Sequence, residues 1–296
     1  MNRVFFLVGP TATGKSELGA EVARRLGAEV VSADAFQIYR GLDLLTAKPD
    51  AATLAKVSHH LIGSVPLADE MNVEKYRDAA EAIMASGERM IVVGGTGLYI
   101  KALTHGLATL PAANQQLREK LERATTEELF RSLSALDPTA AATIDHYNRR
   151  RVIRAVEVCL LTGQPFSAKR TEWKQTTAAN GLFVYRDRDE LYSRIDRRVE
   201  EMFAAGVVAE VGAAPDIGPT AMQTLGFREI RALIAGEISQ GECLAKIQQA
   251  TRRYAKRQLT WFRGQTNFPS LNLSAHRPDE AVELISQPAA RVFAGE

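Results

Sequence analysis

The chain has 296 residues, of which 46% are hydrophobic and 24% are charged, and its formal net charge is only +2. A chain of this length and composition can bury a large core, and its two cysteines are too few for a disulfide framework, so an intrinsically disordered protein and a disulfide-stapled miniprotein are excluded. No apolar run approaches the length of a membrane span and no signal-peptide pattern opens the sequence, so we expect a cytosolic protein without membrane contact.

A glycine-rich loop follows the first predicted strand, Val4–Val8. The loop residues are Gly9, Pro10, Thr11, Ala12, Thr13, Gly14, Lys15 and Ser16, which fit the pattern G-x-x-x-x-G-K-S. Apolar residues at Leu18, Val22 and Leu26 then predict a helix that ends at Gly27. In this strand–loop–helix context backbone N–H groups bind phosphate oxygens, Lys15 adds an ammonium group and the Ser16 hydroxyl suits Mg²⁺. The loop is therefore predicted to bind phosphate.

The next segments continue to alternate between strand and helix. The predicted elements are a strand at Glu29–Ser32 leading to Asp34, a helix marked by Val73, Tyr76, Ala80 and Ile83, and a strand at Met90–Val93 leading to Thr96. This βαβαβ order predicts an α/β fold with a P-loop NTPase-like parallel sheet flanked by helices. Because the carboxyl ends of parallel strands meet at one edge, Lys15, Asp34 and Thr96 can converge there.

A helical block interrupts this alternation. From Asn114 to Gly163 the sequence predicts successive short helices, one of them opened by an Asp137 cap with Pro138 at its first position. The strand pattern resumes at Leu182–Tyr185 and is followed by two further helices, of which the last is long and basic. We therefore expect a P-loop core over residues 1–111 and 181–296, with a basic C-terminal helix, and a helical insertion domain over residues 112–180.

Positive charge is concentrated in two places. No Asp or Glu occurs between Cys243 and Pro278, whereas this stretch contains Lys246, Arg252, Arg253, Lys256, Arg257, Arg263 and Arg277. The second cluster consists of Arg149, Arg150, Arg151 and Arg154. Such clusters in a balanced chain indicate an anionic partner, although each could also be a solvated helix face.

The end of the strand at Met90–Val93 bears on the reaction. A nucleotide-hydrolysing enzyme commonly has a carboxylate there for Mg²⁺ and water, but this strand runs into Gly94-Gly95-Thr96. Asp34, after the neighbouring predicted strand, could still supply that carboxylate. The loop alone leaves both nucleotide hydrolysis and another phosphate chemistry open.

Five further segments, in this order and spacing, resemble those of the tRNA dimethylallyltransferases, also called tRNA isopentenyltransferases. The segments are Ser32–Asp43, Thr46–Pro49, Gly94–Tyr99, Gln223–Phe227 and Thr251–Arg263. Together with the loop, the resemblance runs from Val4 to Arg263. It is most specific in the last segment, where basic residues surround Tyr254 and Trp261.

The resemblance implies transfer of a dimethylallyl group from dimethylallyl diphosphate to N6 of the adenosine 3′-adjacent to the anticodon of tRNA. Gly9 to Ser16 would then bind diphosphate, with Mg²⁺ as the cofactor at Ser16. Lys15, Asp34 and Thr96 would be the catalytic residues. Asp34 matches the family's base, and a role as a water-mediated Mg²⁺ partner stays open because the end of a strand permits both.

The resemblance also implies which residues contact tRNA. They are Asp34, Ala35, Phe36, Gln37, Thr96, Arg118, Arg150, Arg151, Val152, Ile153 and Arg154, acting on the anticodon stem-loop. The sequence has Ala35 and Phe36 where many members have Ser and Arg. Splayed loop bases are the usual target of proteins that recognise RNA sequence, and arginines on phosphates position such RNA. We expect a monomer.

Three other functions remain as alternatives at this point. An adenylate isopentenyltransferase, which prenylates a free nucleotide, would share the loop, Asp34 and Thr96 but would not need the insertion or the basic helix. A small-molecule P-loop kinase would require ATP turnover. A non-catalytic RNA-binding protein would keep its affinity after loss of Asp34. The pair His59-His60 has no Cys or further His at ligand spacing, so we expect packing or a surface position for it.

Overall fold

A computed structural model of the chain describes residues 3–108, 110–170, 180–214 and 217–295. They fall into two compact units, one within residues 1–104 and 176–296 and the other within residues 105–175. The limits expected for the insertion, residues 112 and 180, stay a prediction, and residues 171–179 within them lie outside the described part of the chain.

Helices and strands follow one another with short connections. The chain begins with β1 (Val4–Val8), α1 (Lys15–Leu26), β2 (Glu29–Ala33), α2 (Ala51–Leu54), β3 (His59–His60), α3 (Val73–Met84), β4 (Met90–Gly94) and α4 (Gly97–His105). The second unit contains α5 (Gln115–Arg123), α6 (Thr126–Leu136), α7 (Pro138–Thr143), α8 (Arg149–Thr162) and α9 (Phe166–Arg170). The first unit resumes with β5 (Gly181–Tyr185), α10 (Arg188–Ala204), α11 (Val207–Ala213), α12 (Phe227–Ile234), α13 (Gln240–Gln265), β6 (Ser270–Asn272) and α14 (Pro278–Ala294).

All neighbouring strands of the sheet are parallel, in the order β3-β2-β4-β1-β5-β6. The central pair β1 and β4 is in register from Val4 opposite Met90 to Val8 opposite Gly94. Both strands are buried along their whole length, which explains their continuous apolar runs. The predicted α/β class with a parallel sheet flanked by helices is confirmed.

Alternate residues of β1 belong to different cores because successive side chains point to opposite faces of the sheet. Phe6 and Val8 pack in a cluster with α3, α4 and the helices α10 to α13. Phe5 and Leu7 pack in a second cluster with α1 and α14. The carboxyl ends of the strands lie between these two layers, so residues that follow the strands meet there.

One expectation about the end of the chain is corrected by the structure. The basic helix α13 is not C-terminal, because α14 follows it and buries Ile285 and Ala289 in the cluster shared with α1. Pro288 lies within α14, where a proline disfavours helix in the sequence pattern. Packing of α14 against α1 offsets the energetic cost of this proline. The short edge strands β3 and β6 were also not predicted, since two or three residues carry no measurable alternation.

The second unit has its own apolar core, formed by α5 to α9. Leu129, Leu133, Val152 and Val156 are at most 1% exposed within it. Its helix ends follow the predicted signals, because Asp137 caps α7 with Pro138 at the first position and Gly163 ends α8 in a left-handed conformation. Within the described residues of both units, no helix is long and apolar enough to cross a membrane.

Candidate active site

The glycine-rich loop joins β1 to α1 and contains two residues with positive φ. Gly14 precedes α1 with φ of 89°, and Ala12 has φ of 65°. No side chain caps the N-terminus of α1, so its first N–H groups and the positive end of the helix dipole are available to an anion. The local geometry is therefore that of an anion cradle.

Lys15 lies beneath this loop. Its side chain donates a hydrogen bond from Nζ to the carbonyl oxygen of Pro10 at 3.2 Å, and the residue is 8% exposed. Burial lowers the pKa of Lys15 to about 8, against the opposing charge of Asp34 and with a smaller contribution from Arg198. An anion bound in the loop would restore the preference of this amine for its charged form.

Three arginines, named here the arginine row, hold the loop from the side of β5 and α10. Arg186 Nε donates to Thr13 O at 2.9 Å and Arg194 Nε to Ala12 O at 2.8 Å, while Arg198 Nη2 donates to Thr11 Oγ1 at 2.8 Å. The row was not predicted from the sequence. The sequence feature that could have indicated this row is the i, i+4 spacing of Arg194 and Arg198 beside the apolar stripe of α10.

Arg198 is the member of the arginine row that has a hydrogen-bond donor without a partner. Its Nε is buried and is the one buried side-chain N or O atom without a partner in the described part of the chain. Burial lowers the pKa of Arg198, opposed by the charge of Asp34. A buried donor left unpaired is costly, so this guanidinium indicates an anionic ligand at the loop.

Asp34 and Thr96 lie side by side after the neighbouring strands β2 and β4. Thr96 N donates to Ala33 O at 3.1 Å, and Thr96 Oγ1 accepts from Ala35 N at 2.9 Å. Asp34 Oδ1 accepts from the N–H groups of Phe36 at 2.9 Å and Gln37 at 3.2 Å. No donor among the described residues occupies the second oxygen, Oδ2, which leaves it available as a proton acceptor.

Tyr254 and Gln37 are neighbours of Asp34 and Thr96. The Tyr254 hydroxyl lies within hydrogen-bonding reach of Thr96 and Gln258, and burial together with the charge of Asp34 raises the pKa of Tyr254. The Gln37 side-chain amide donates to the carbonyl oxygens of Thr46 at 3.2 Å and Ala47 at 2.9 Å. The predicted contact residues Ala35, Phe36 and Gln37 are all partly exposed beside the pair.

One cavity connects these groups. Its lining contains the polar residues Thr11, Asp34, Arg198 and Tyr254, and the rest of the lining consists mainly of apolar residues of α10 to α13 and of the segment after β2. Its volume is about 50 Å³. The structure thus brings the loop, Asp34 and an apolar chamber together in one place.

Gln258 of α13 links the two loops that border this cavity. Its Oε1 accepts from Thr11 N at 2.9 Å and its Nε2 donates to Gly95 O at 2.8 Å, and the residue is 5% exposed. No local sequence pattern identifies Gln258 as a site residue, because its two partners are 247 and 163 residues away. Trp261 lies three residues further along α13 and packs closely against Gly97. Any side chain at position 97 would clash with the indole ring.

Replacing Gln258 with leucine is expected to lower kcat/KM by roughly 10–100-fold, since both buried backbone groups would lose their partner and the loops their alignment. Gln258→Glu should also be impaired, because a carboxylate can accept from Thr11 but cannot donate to Gly95. Gln248→Leu is the matched control, since Gln248 of the same helix bonds the carbonyl of Asp196 instead. Steady-state kinetics of the three variants would refute the bracing role if Gln258→Leu resembled the control.

The residues fit a divalent metal held chiefly by a bound ligand. Ser16 is partly exposed at the start of α1, and no described side chain occupies its hydroxyl. Ser16, Ser32, Gln37 and His59 line a small cavity of about 10 Å³, room for roughly one water. No group of three His, Cys, Asp or Glu side chains that could hold a metal converges in the described ranges.

The histidine pair at the sheet edge has partners of its own. His60 Nε2 lies 2.7 Å from Glu29 Oε2 and His59 Nδ1 lies 2.8 Å from Val57 O. Both rings are partly exposed. These contacts and the partial exposure agree with the packing or surface position expected from the sequence.

Comparison with known proteins decides the family. The IPP transferase family model matches residues 37–265. The chain belongs to this family. It is 43% identical over 88% of its length to tRNA dimethylallyltransferase 1 of Citrifermentans bemidjiense, covering 89% of that protein. It is 44% identical over 89% of its length to the tRNA dimethylallyltransferase of Caulobacter sp. strain K31, covering 90% of that protein.

A solved member of the family has the same fold. The crystal structure of the tRNA isopentenylpyrophosphate transferase of Bacillus halodurans superposes with a TM-score of 0.71 at 33% identity, covering 99% of this chain and 97% of that one. The resemblance to tRNA dimethylallyltransferases and the α/β fold expected from it are thereby confirmed.

In this family member, the second unit uses two of the predicted RNA contacts internally. Glu157 is fully buried and accepts from Arg118 Nε at 3.0 Å, from Arg154 Nη1 at 2.6 Å and from Asn114 N at 2.9 Å. Burial alone would raise the pKa of Glu157, but these donors outweigh it and hold the pKa below its ordinary value. Glu157 therefore offsets half of the combined charge of Arg118 and Arg154 and holds both side chains within the unit.

The other predicted residues of α8 divide into two groups. Val152 and Ile153 are buried in the apolar core of the unit, so their side chains are directed away from solvent. Arg150 and Arg151 are exposed at the first turn of α8. Any RNA contact by side chains of this stretch accordingly rests with the exposed arginines.

Replacing Arg118 and Arg154 together with alanine is expected to destabilise the second unit by about 3–5 kcal/mol, because Glu157 would remain as an uncompensated buried charge. Lys120→Ala removes a charge from an exposed position on α5 and should change stability by less than about 0.5 kcal/mol. Chemical denaturation measures both. Adding Glu157→Leu should recover most of the loss, and a double variant as stable as the parent would contradict the role of Glu157.

Proposed function

We propose that the protein transfers a dimethylallyl group from dimethylallyl diphosphate to N6 of the adenosine 3′-adjacent to the anticodon of tRNA and releases diphosphate. The observation that carries the proposal is one cavity whose lining combines Thr11 of the glycine-rich loop and Asp34 with apolar residues of α10 to α13. A donor that carries phosphate groups and a short hydrocarbon tail matches both the polar and the apolar residues of this lining. Membership of the IPP transferase family supports the same reaction.

The loop and the arginine row would bind and stabilise the diphosphate leaving group. Negative charge on the diphosphate grows as the allylic C–O bond breaks, and backbone N–H groups, Lys15 and Arg198 are already directed at the loop. Because these groups are held by the fold, little reorganisation is needed during the reaction. Lys15 would regain its full charge as the diphosphate binds.

Asp34 would accept the proton of the nucleophile. The adenine N6 lone pair is delocalised into the ring, so attack on the allylic carbon is helped when a carboxylate takes an N6 proton. The N6–C bond forms as the C–O bond breaks, the proton goes to Asp34 Oδ2 and the electron pair leaves with diphosphate. Thr96 would hold the base beside Asp34, since its hydroxyl already fixes the Ala35 backbone.

Ser16 would contribute its hydroxyl to a Mg²⁺ site completed by diphosphate oxygens and water. A bound Mg²⁺ supplies charge neutralisation to the departing diphosphate. The residue arrangement around Ser16 supports this assignment, since few protein ligands converge there and one water-sized cavity adjoins it. The water-mediated alternative for Asp34 would make that carboxylate part of the same site.

The solvent face of α13 is the surface we assign to tRNA in the first unit. Arg253, Lys256 and Arg257 are exposed, whereas Ala255 and Gln258 on the opposite face are buried. Arg252 differs from the exposed group because it pairs with Asp196 at 2.9 Å. Phosphate contacts would therefore come chiefly from Arg253 and Lys256, for which the described residues offer no ion pair.

Replacing Lys256 with alanine is expected to reduce the slope of log K against log salt by about 0.7–0.9, the counterion release of one phosphate contact. Arg252→Ala should reduce it less, because Asp196 already neutralises part of that charge. Lys75→Ala, at an exposed position on α3, is the control and should leave the slope unchanged. Binding of tRNA across a salt series measures these slopes, and a Lys256→Ala slope equal to the parent's would refute the assignment.

The proposed reaction is tested by offering labelled dimethylallyl diphosphate with tRNA, with AMP and with no acceptor. We expect label in tRNA only. Label in AMP would favour the adenylate isopentenyltransferase, ATP turnover without label transfer would favour a kinase, and tRNA binding without transfer would favour an RNA-binding protein. The cytosolic location and the monomeric state stay predictions.

A further inference from the structure

The active-site cavity is bounded by α10. Asp34 and Arg198 belong to its lining, and so do Met202 and Phe203, which follow Arg198 by about one turn of this helix. Four residues of helix rise by about 6 Å, which is close to the extended length of a five-carbon chain. Part of the lining belongs to the packed core, because Val207 and Ile230 are 1% and 0% exposed.

This cavity is small compared with a ten-carbon chain. At about 10–15 Å³ for each water, a cavity of about 50 Å³ has room for roughly four waters, and a methyl or methylene group is similar in size to water. A dimethylallyl group has five carbons and a geranyl group ten. The second isoprene unit would therefore have to displace side chains of the wall.

Phe203 is the wall residue whose removal would lengthen the cavity most. It is the largest apolar side chain that α10 to α13 contribute to the lining, and it is partly buried against the larger core cluster. Replacement by alanine removes six carbons, more than the five that geranyl adds. Truncating Val207 or Ile230 instead would open the fully buried core.

We infer that Phe203 limits the prenyl donor of this protein to five carbons. The inference rests on the proposed function, because it assigns the apolar residues of the lining to the hydrocarbon of the donor. It makes Phe203 a specificity-determining residue, whose contact is with the donor tail and whose removal leaves the diphosphate loop intact.

The test compares kcat/KM for dimethylallyl diphosphate and geranyl diphosphate with tRNA as acceptor. The parent is expected to discriminate against the geranyl donor, and Phe203→Ala should raise the geranyl-to-dimethylallyl ratio by at least about 10–100-fold, since the methylenes of the second unit no longer overlap the wall. Phe268→Ala is the matched control, because Phe268 is equally partly buried against the same cluster but does not line the cavity. An unchanged ratio in Phe203→Ala, or efficient geranyl transfer by the parent, would overturn the inference.

A larger side chain gives a second, independent measurement. Phe203→Trp should weaken binding of dimethylallyl diphosphate by about tenfold or more while binding of inorganic diphosphate stays within about twofold of the parent, because only the tail meets the added ring. Equal losses for both ligands would overturn the inference. A parent that transfers no dimethylallyl group to tRNA would refute the proposed function instead, so the two failures are distinguishable.

Discussion

Replacing Asp34 with asparagine is expected to lower the turnover of dimethylallyl transfer by about 10²–10⁴-fold while the affinity for tRNA changes little. Asparagine is isosteric, and its side-chain oxygen can still accept the Phe36 and Gln37 N–H groups that Asp34 Oδ1 accepts. The substitution therefore keeps the turn and removes only the carboxylate that would take the N6 proton. Single-turnover kinetics at saturating tRNA and donor measure the chemical step directly.

Asp78→Asn is the control for this substitution, because Asp78 is an exposed carboxylate of α3 that pairs with Arg77. It should retain the parent's turnover. A Mg²⁺ titration of Asp34→Asn separates the two roles considered for Asp34: a base leaves the midpoint unchanged, whereas a water-mediated metal partner shifts it upward. An Asp34→Asn enzyme with the parent's rate would refute both.

Replacing Lys15 with alanine is expected to weaken diphosphate binding and lower kcat/KM by about 10²–10³-fold, since one of the preorganised positive groups at the leaving group is lost. The pH dependence of binding gives a more specific prediction. Burial lowers the pKa of Lys15 to about 8, so its ammonium form is lost as the pH rises through 8 in the ligand-free protein. The affinity of the parent for inorganic diphosphate should therefore fall above pH 8, by up to about tenfold for each pH unit.

Lys15→Arg provides the matched comparison for this pH dependence, because a guanidinium stays charged throughout the range. Its affinity should not show the fall above pH 8, and the ionisation of diphosphate itself affects parent and variant alike. Calorimetry should also detect proton uptake on binding to the parent above pH 8. Identical pH profiles for the parent and Lys15→Arg would contradict the assignment of Lys15 to the diphosphate.

Local sequence patterns were sufficient for the centre of this fold and for part of the site. The apolar run Val4–Val8, the glycine-rich loop and the apolar spacing of α1 each reflect local backbone requirements, so the loop could be located from the sequence alone. The meeting of Lys15, Asp34 and Thr96 followed from one topological rule, that the carboxyl ends of parallel strands share an edge. The electrostatic influence of Asp34 on Lys15 and its neighbours agrees with that expectation.

The remaining site residues depend on contacts between distant parts of the chain. Gln258 and the arginine row reach the loop from positions more than 170 residues away, and neither residue type carries a recognisable motif. The ion pairs of Arg118 and Arg154 with Glu157 were equally invisible, because only the packing of α5 against α8 buries that carboxylate. Charge alone suggested RNA contact for these arginines, whereas their geometry assigns them first to the stability of their own unit.

The position of the new group in the RNA is the most direct test of the proposed reaction. The protein would be incubated with dimethylallyl diphosphate, Mg²⁺ and unmodified tRNA, and the RNA digested to nucleosides for mass spectrometry. We expect a single adenosine of each tRNA, the one 3′-adjacent to the anticodon, to gain one C₅H₈ unit at N6, and a tRNA with guanosine at that position to remain unmodified. Modification of the guanosine-substituted tRNA, or of any other nucleoside, would contradict the proposed function.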